Sequence, residues 1–225
     1  MTTTPRVQPC VFFDLDGTLT DPQDGIVRSI QYALQQLGRA VPPSASLRKY
    51  IGPPLRESFA DLLGHEAKVE EAVRLYRERF GTIGLFENAV YPGIPQLLEA
   101  IAQRGWAAYV VTSKPVVYAS RIVTHFGLSA YFRAIYGSKL DGRLTDKADL
   151  IAHVLASEPV SPTYIVMVGD REHDMRGAAA HGIPALGVTY GYGSRAELIA
   201  AGARWVCDTP ESVYSALRDH FSQNV

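Results

Sequence analysis

Apolar and polar positions along this chain alternate between two periods. Short, nearly continuous apolar runs occupy Cys10 to Asp14, Trp106 to Thr112, Arg133 to Tyr136, Tyr164 to Gly169, Pro184 to Thr189 and Arg204 to Cys207. Runs of this length bounded by polar turns read as strands buried on both faces. Between the later ones lie helical patterns at about residues 93–104, 115–126, 146–157, 172–181, 194–201 and 209–221. Strands alternating with helices predict an α/β fold, a Rossmann-like parallel sheet covered on both sides.

One stretch breaks the alternation. From Pro22 to Glu87 helical patterns follow one another with no convincing strand, and Ile26, Ile30, Ala33, Leu34 and Leu37 share one face, as do Val69, Val73, Tyr76 and Phe80. Asp21-Pro22 and the segment Asn88 to Gly93 supply the proline and glycine punctuation of linkers. The expected organisation is therefore an α/β core made of residues 1–21 and 88–225, with a small helical domain, 22–87, inserted after the first strand.

The chain has 225 residues, and 22 Lys and Arg against 23 Asp and Glu leave a net charge of −1. No overall field gathers nucleic acid or anionic lipid, so any phosphate affinity has to be local. Apolar runs fall far short of the roughly 20 residues that cross a bilayer, and Asp14 interrupts the first one, so neither a membrane segment nor a signal peptide is expected. The expected location is cytoplasmic, with no nucleic-acid and no membrane partner. Cys10 and Cys207 sit in apolar runs without CxxC spacing and read as buried thiols.

Candidate chemistry gathers where strands end. In Asp14-Leu15-Asp16-Gly17-Thr18, strand alternation sends Asp14 and Asp16 to one side, and Gly17 lets the chain turn away. A second acidic pair, Asp170 and Asp174, follows the run Ile165 to Val168. Ligands collect at the carboxyl ends of parallel strands, so the two pairs can share one crevice. An all-oxygen donor set suits a hard cation, Mg2+ above all. Plainer readings stand beside these: an acidic turn after a strand, and for Asp174 a first-turn carboxylate favourable to a helix dipole.

Thr112 and Ser113 end another strand ahead of Pro115, where a helix is expected to begin; they form an anion cradle or simply cap the helix. Lysine occurs only at 49, 68, 114, 139 and 147. Lys147 opens a helix, where a cation opposes the macrodipole unless an anion lies close. Asp146 and Asp149 offer an ordinary reason, and Lys114 and Lys139, whose side chains are expected to be mostly solvated, are its rivals.

These motifs, in this order, resemble those of the haloacid dehalogenase superfamily, in particular its phosphoglycolate phosphatase-like branch with a helical cap after the first motif. FFDLDGTLTD is similar to the first motif, VVTSKP to the second, Lys147 to the third and GDREHD to the fourth. Lys147 is followed by Ala148 and not by the usual Lys-Pro-x-Pro. The resemblance implies a phosphoric monoester hydrolase. In it Asp14 is the nucleophile that forms an aspartyl-phosphate, Asp16 is the general acid and base, and Thr112 and Lys147 hold the phosphoryl oxygens. It also implies Mg2+ bound by the Asp14 carboxylate, the Asp16 carbonyl oxygen and Asp170, with Asp174 close behind.

Within the implied cap, the Gly-Pro-Pro loop Ile51 to Leu55 is the expected substrate contact through Gly52. Arg56 reads first as a solvated helix-face residue and second as an anion contact. The expected substrate is a small phosphorylated metabolite such as 2-phosphoglycolate, a nucleoside 5'-monophosphate or a sugar phosphate. A sugar phosphomutase shares every motif, and a receiver-like signalling module also places Asp, Thr and Lys at strand ends but lacks the insertion. The sequence is silent on oligomeric state.

Overall fold

A computed structural model describes residues 8–64 and 66–223. Strand β1 (Cys10–Phe13) leads to β2 (Thr20–Asp21), and the helices α1 (Gln23–Gln36), α2 (Ser44–Leu47), α3 (Leu55–Leu63) and α4 (Val69–Phe80) follow. The chain returns through β3 (Ala89–Val90), which pairs with β2 in a two-stranded ribbon. It then alternates: α5 (Ile94–Gln103), β4 (Ala107–Pro115), α6 (Val116–His125), β5 (Ala134–Ser138), α7 (Lys147–Ser157), β6 (Ile165–Gly169), α8 (Glu172–Ala179), β7 (Ala185–Val188), α9 (Arg195–Ala200), β8 (Trp205–Cys207) and α10 (Pro210–Gln223). All six apolar runs form strands of one sheet.

The sheet has the order β5-β4-β1-β6-β7-β8, and every pairing along it is parallel. The chain builds outward from β1 to β4 and β5, then crosses to β6, β7 and β8. That reversal makes the carboxyl ends of β4, β1 and β6 a topological switch point, where an open α/β sheet forms a crevice. Every residue of β1 is buried, which explains why its sequence does not alternate. On one face Cys10, Phe12, Tyr109, Val111 and Met167 pack with Leu150, Ile151 and Val154 of α7 and Met175 and Ala178 of α8. This core fixes the helices whose first turns carry Lys147 and Asp174.

By contact density the chain resolves into two compact units, Met1–Leu19 with Val90–Val225, and Thr20–Ala89. The second holds α1 to α4. Ile26, Ile30, Ala33 and Leu34 of α1 and Val69, Val73, Tyr76 and Phe80 of α4 are buried, as their helical spacing predicts. Glycine permits the closest approach in this unit: a Cβ on Gly25 would meet the Gly84 carbonyl oxygen at 1.9 Å. Among the described residues, no helix is long and apolar enough to cross a membrane.

Candidate active site

Asp14 and Asp16 lie just beyond β1, with Gly17 turning the chain at φ +82°. A side chain at 17 is also barred by space, since a Cβ there would fall 2.1 Å from Asp170 Oδ2. Asp14, Asp170 and Asp174 are all buried, and each offers an oxygen within 4.8 Å of the others. Burial raises the Asp170 carboxyl well above its ordinary value, and the charges of Asp174 and Asp14 push it further. Asp174 is raised too, by burial first, against the opposing charge of Lys147.

Lys147 is where the sequence left three lysines open. Its ammonium donates to Asp14 Oδ1 at 3.0 Å and to the Val111 carbonyl at 2.9 Å, and lies 2.7 Å from Asp174 Oδ1. Three donors have three partners. Burial works to lower its pKa, but the two carboxylates outweigh burial and raise it. Asp146 plays a different part: it caps α7, accepting from the N–H groups of Ala148 and Asp149. Lys139 is exposed.

Lys114 departs from expectation. A residue two beyond the strand end reads as solvated, yet its side chain is only 6% exposed and its ammonium pairs with Asp16 Oδ2. The reason is local. β4 runs on to Pro115, and its register with β5 shifts between Thr112 and Pro115; such an irregularity re-aims side chains. Asp16 Oδ1 is buried without a hydrogen-bond partner. Burial raises the Asp16 carboxyl, with Lys114 opposing.

Thr112 is buried at the end of this strand, its hydroxyl accepting from the Lys114 N–H at 3.2 Å, and Ser113 beside it is half-buried. The structure thus gathers Asp14, Asp16, Thr112, Ser113 and Asp170 at neighbouring strand ends of one unit, where the first turns of α7 and α8 bring Lys147 and Asp174. Gly52 and Arg56 belong to the helical unit. Gly52 adopts φ +106°, a left-handed conformation that favours glycine. Arg56 grips Glu70 with two hydrogen bonds, 2.6 and 3.1 Å, on an exposed surface.

Sequence reasoning missed the loop after β7. There the Tyr192 N–H donates to Asp170 Oδ2 at 2.8 Å, and a Cβ on Gly191 would lie 2.3 Å from the Gly17 carbonyl oxygen. The alternating Tyr190-Gly191-Tyr192-Gly193 was the available signal, because paired glycines outside a helix mark a close backbone approach.

Residues 11–188 match the model of the haloacid dehalogenase-like hydrolase family. The chain belongs to this family. It is 48% identical over 213 residues to a 5'-nucleotidase of Pseudomonas aeruginosa, covering 94% of this chain and 96% of the relative. A phosphoglycolate phosphatase of Pseudomonas putida is 29% identical over 199 residues, 84% of this chain and 71% of that one. The solved structure of the Mycobacterium tuberculosis protein tyrosine kinase A superposes with a TM-score of 0.82 at 38% identity, covering 94% and 99% of the two chains. The protein is accordingly a haloacid dehalogenase-like phosphatase.

Phosphatases of this family generally use a divalent metal. Three buried acidic side chains, only two of them touching Lys147, bring their oxygens within 4.8 Å of one another. The residues fit a hard cation.

Proposed function

We propose that the protein is a Mg2+-dependent phosphatase that hydrolyses a small phosphate monoester through a phosphoryl group carried on Asp14, and that its substrate is a nucleoside 5'-monophosphate. The observation that carries the mechanism is the division of labour between two lysine–aspartate pairs at the end of one strand. Asp14 is held by Lys147, whose ammonium donates to its Oδ1. Asp16, held by Lys114 through one oxygen, keeps the other available.

An Asp14 oxygen forms the bond to phosphorus as the ester oxygen departs. Asp16 Oδ1 gives its proton to that oxygen, so the alcohol leaves neutral. Water then attacks the phosphoryl group while Asp16 Oδ1 takes its proton, returning Asp14 as a carboxylate and releasing phosphate. Lys147 and the Thr112 hydroxyl steady the phosphoryl oxygens, which is positioning and electrostatics more than covalent chemistry. Asp14, the Asp16 carbonyl oxygen and Asp170 would hold the cation, with Asp174 behind them. Mg2+ supplies charge neutralisation between the carboxylate nucleophile and a phosphate dianion.

The nucleotide reading is supported by the name of the 48% identical relative, against 29% for the phosphoglycolate phosphatase. Gly52 and Arg56 are the proposed substrate contacts of the insertion, which serves as the cap. A cytoplasmic setting accords with two free, buried cysteines. The test is kcat/KM with Mg2+ for nucleoside 5'-monophosphates, 2-phosphoglycolate and sugar phosphates, following free phosphate. Preference for nucleotides with phosphate released is expected. Phosphoryl return to a sugar would instead make the enzyme a mutase.

A further inference from the structure

Ser194-Arg195-Ala196-Glu197 has the spacing of a helix capping box, in which the Glu turns back to the amide of the capping residue. The Ser half forms: Ser194 Oγ accepts from the Glu197 N–H at 3.1 Å. Glu197 Oε1, however, reaches across to the turn after β6. It accepts from Arg171 Nε at 2.8 Å and from the Glu172 N–H at 3.0 Å. That N–H opens α8 and has no partner within its own helix. The Arg171 N–H in turn donates to Asp174 Oδ2 at 3.2 Å.

The turn 170–174 is thereby held on both sides. Tyr192 N–H fixes Asp170 Oδ2, and Gly193 packs so closely that a Cβ there would lie 2.0 Å from the Asp170 carbonyl oxygen and 3.3 Å from Glu197 Oε1. Glu197 is itself three-quarters buried, and its carboxyl is pulled below its ordinary value: burial works to raise it, but hydrogen bonds from Arg171 and the Glu172 amide prevail. A charge is committed here to the backbone that carries two acids of the crevice.

We propose that Glu197 is a positioning residue for the cation site, setting the spacing of Asp170 and Asp174 by locking the turn between them through Arg171 and the Glu172 amide. This rests on the reading of those acids as a Mg2+ site. Partners of this kind, once removed, typically cost about 10- to 100-fold in metal affinity.

The experiment is calorimetric titration of MgCl2 into the metal-free wild type, Glu197→Ala, Glu197→Gln and Glu197→Asp, with circular dichroism and melting curves on each. Gln keeps the accepting oxygen and should bind Mg2+ nearly as wild type. Asp is one methylene short and Ala has no acceptor, so both should bind about tenfold or more weakly, with kcat recovering at saturating Mg2+. If Ala fails to fold, the contrast between Gln and Asp decides. Equal Mg2+ affinity in folded wild type, Gln and Asp overturns the proposal. Wild type that binds no Mg2+ overturns the metal reading and the proposal with it.

Discussion

The two units of this chain bury charge to different depths: in the helical unit Arg79–Glu87 keeps 17% and 20% exposure, and other pairs lie open to solvent. In the helical unit, ion pairs such as Lys49–Asp61, Arg56–Glu70 and Arg74–Glu78 have both side chains largely exposed. Pairs of that kind are worth about 0–1 kcal/mol each. At the strand ends of the α/β unit, Lys147 and Asp174 are 4% and 3% exposed, and Lys114 is 6% exposed against Asp16. Burying such groups costs more than their pairing returns unless something else is gained. The helical unit is stabilised by its apolar faces and needs no such site; the α/β unit tolerates unfavourable electrostatics where chemistry is done.

The sharpest way to break this comparison is to remove the cation that joins the acids. Lys147→Ala should lower kcat by about 10² to 10³ and lower the melting temperature of the metal-free protein, because three carboxylates then share a buried crevice. Steady-state rates and a melting curve check both. Retained activity would assign the role to another group.

Lys114→Met should separate substrates more than it slows them. General acid catalysis commonly contributes about 10² to 10⁴, so a displaced Asp16 should cost about tenfold or more with alkyl phosphates and little with an activated aryl phosphate. Equal losses on both would mean that Lys114 binds phosphate or supports the fold instead.

Asp170→Asn tests stored instability directly. Relieving a desolvated charge should raise the metal-free melting temperature, by about 2–4 °C for each kcal/mol regained, and erase the stabilisation that Mg2+ gives the wild type. A lower melting temperature would contradict the electrostatic account. Smallest of all, Arg56→Ala should change stability by less than about 1 kcal/mol as read by denaturant melts. A rise in KM for nucleotides without a change in kcat would support its proposed contact with substrate.

The sequence carried the strands well because burial on both faces leaves unbroken apolar runs, and strand ends could be read from Asp14, Thr112 and Asp170. Lys147 was legible for a physical reason: a cation at a helix start requires an anion, and the structure supplies Asp14 and Asp174. Lys114 was not, since its inward turn depends on a register shift between β4 and β5 that no periodicity announces. The two-residue strands β2 and β3 are too short to leave a pattern. Glu197 was masked by its own motif, which describes a local cap while the side chain serves a turn 25 residues earlier.

The central claim is a covalent phosphoryl group on Asp14, and acid quenching during turnover followed by peptide mass spectrometry tests it most directly. The account predicts a phosphoryl mass increment on the peptide containing Asp14, absent from an inactive but folded Asp14→Asn. An Asp14→Asn variant that releases phosphate at near wild-type rate, with no adduct on the wild type, would contradict it.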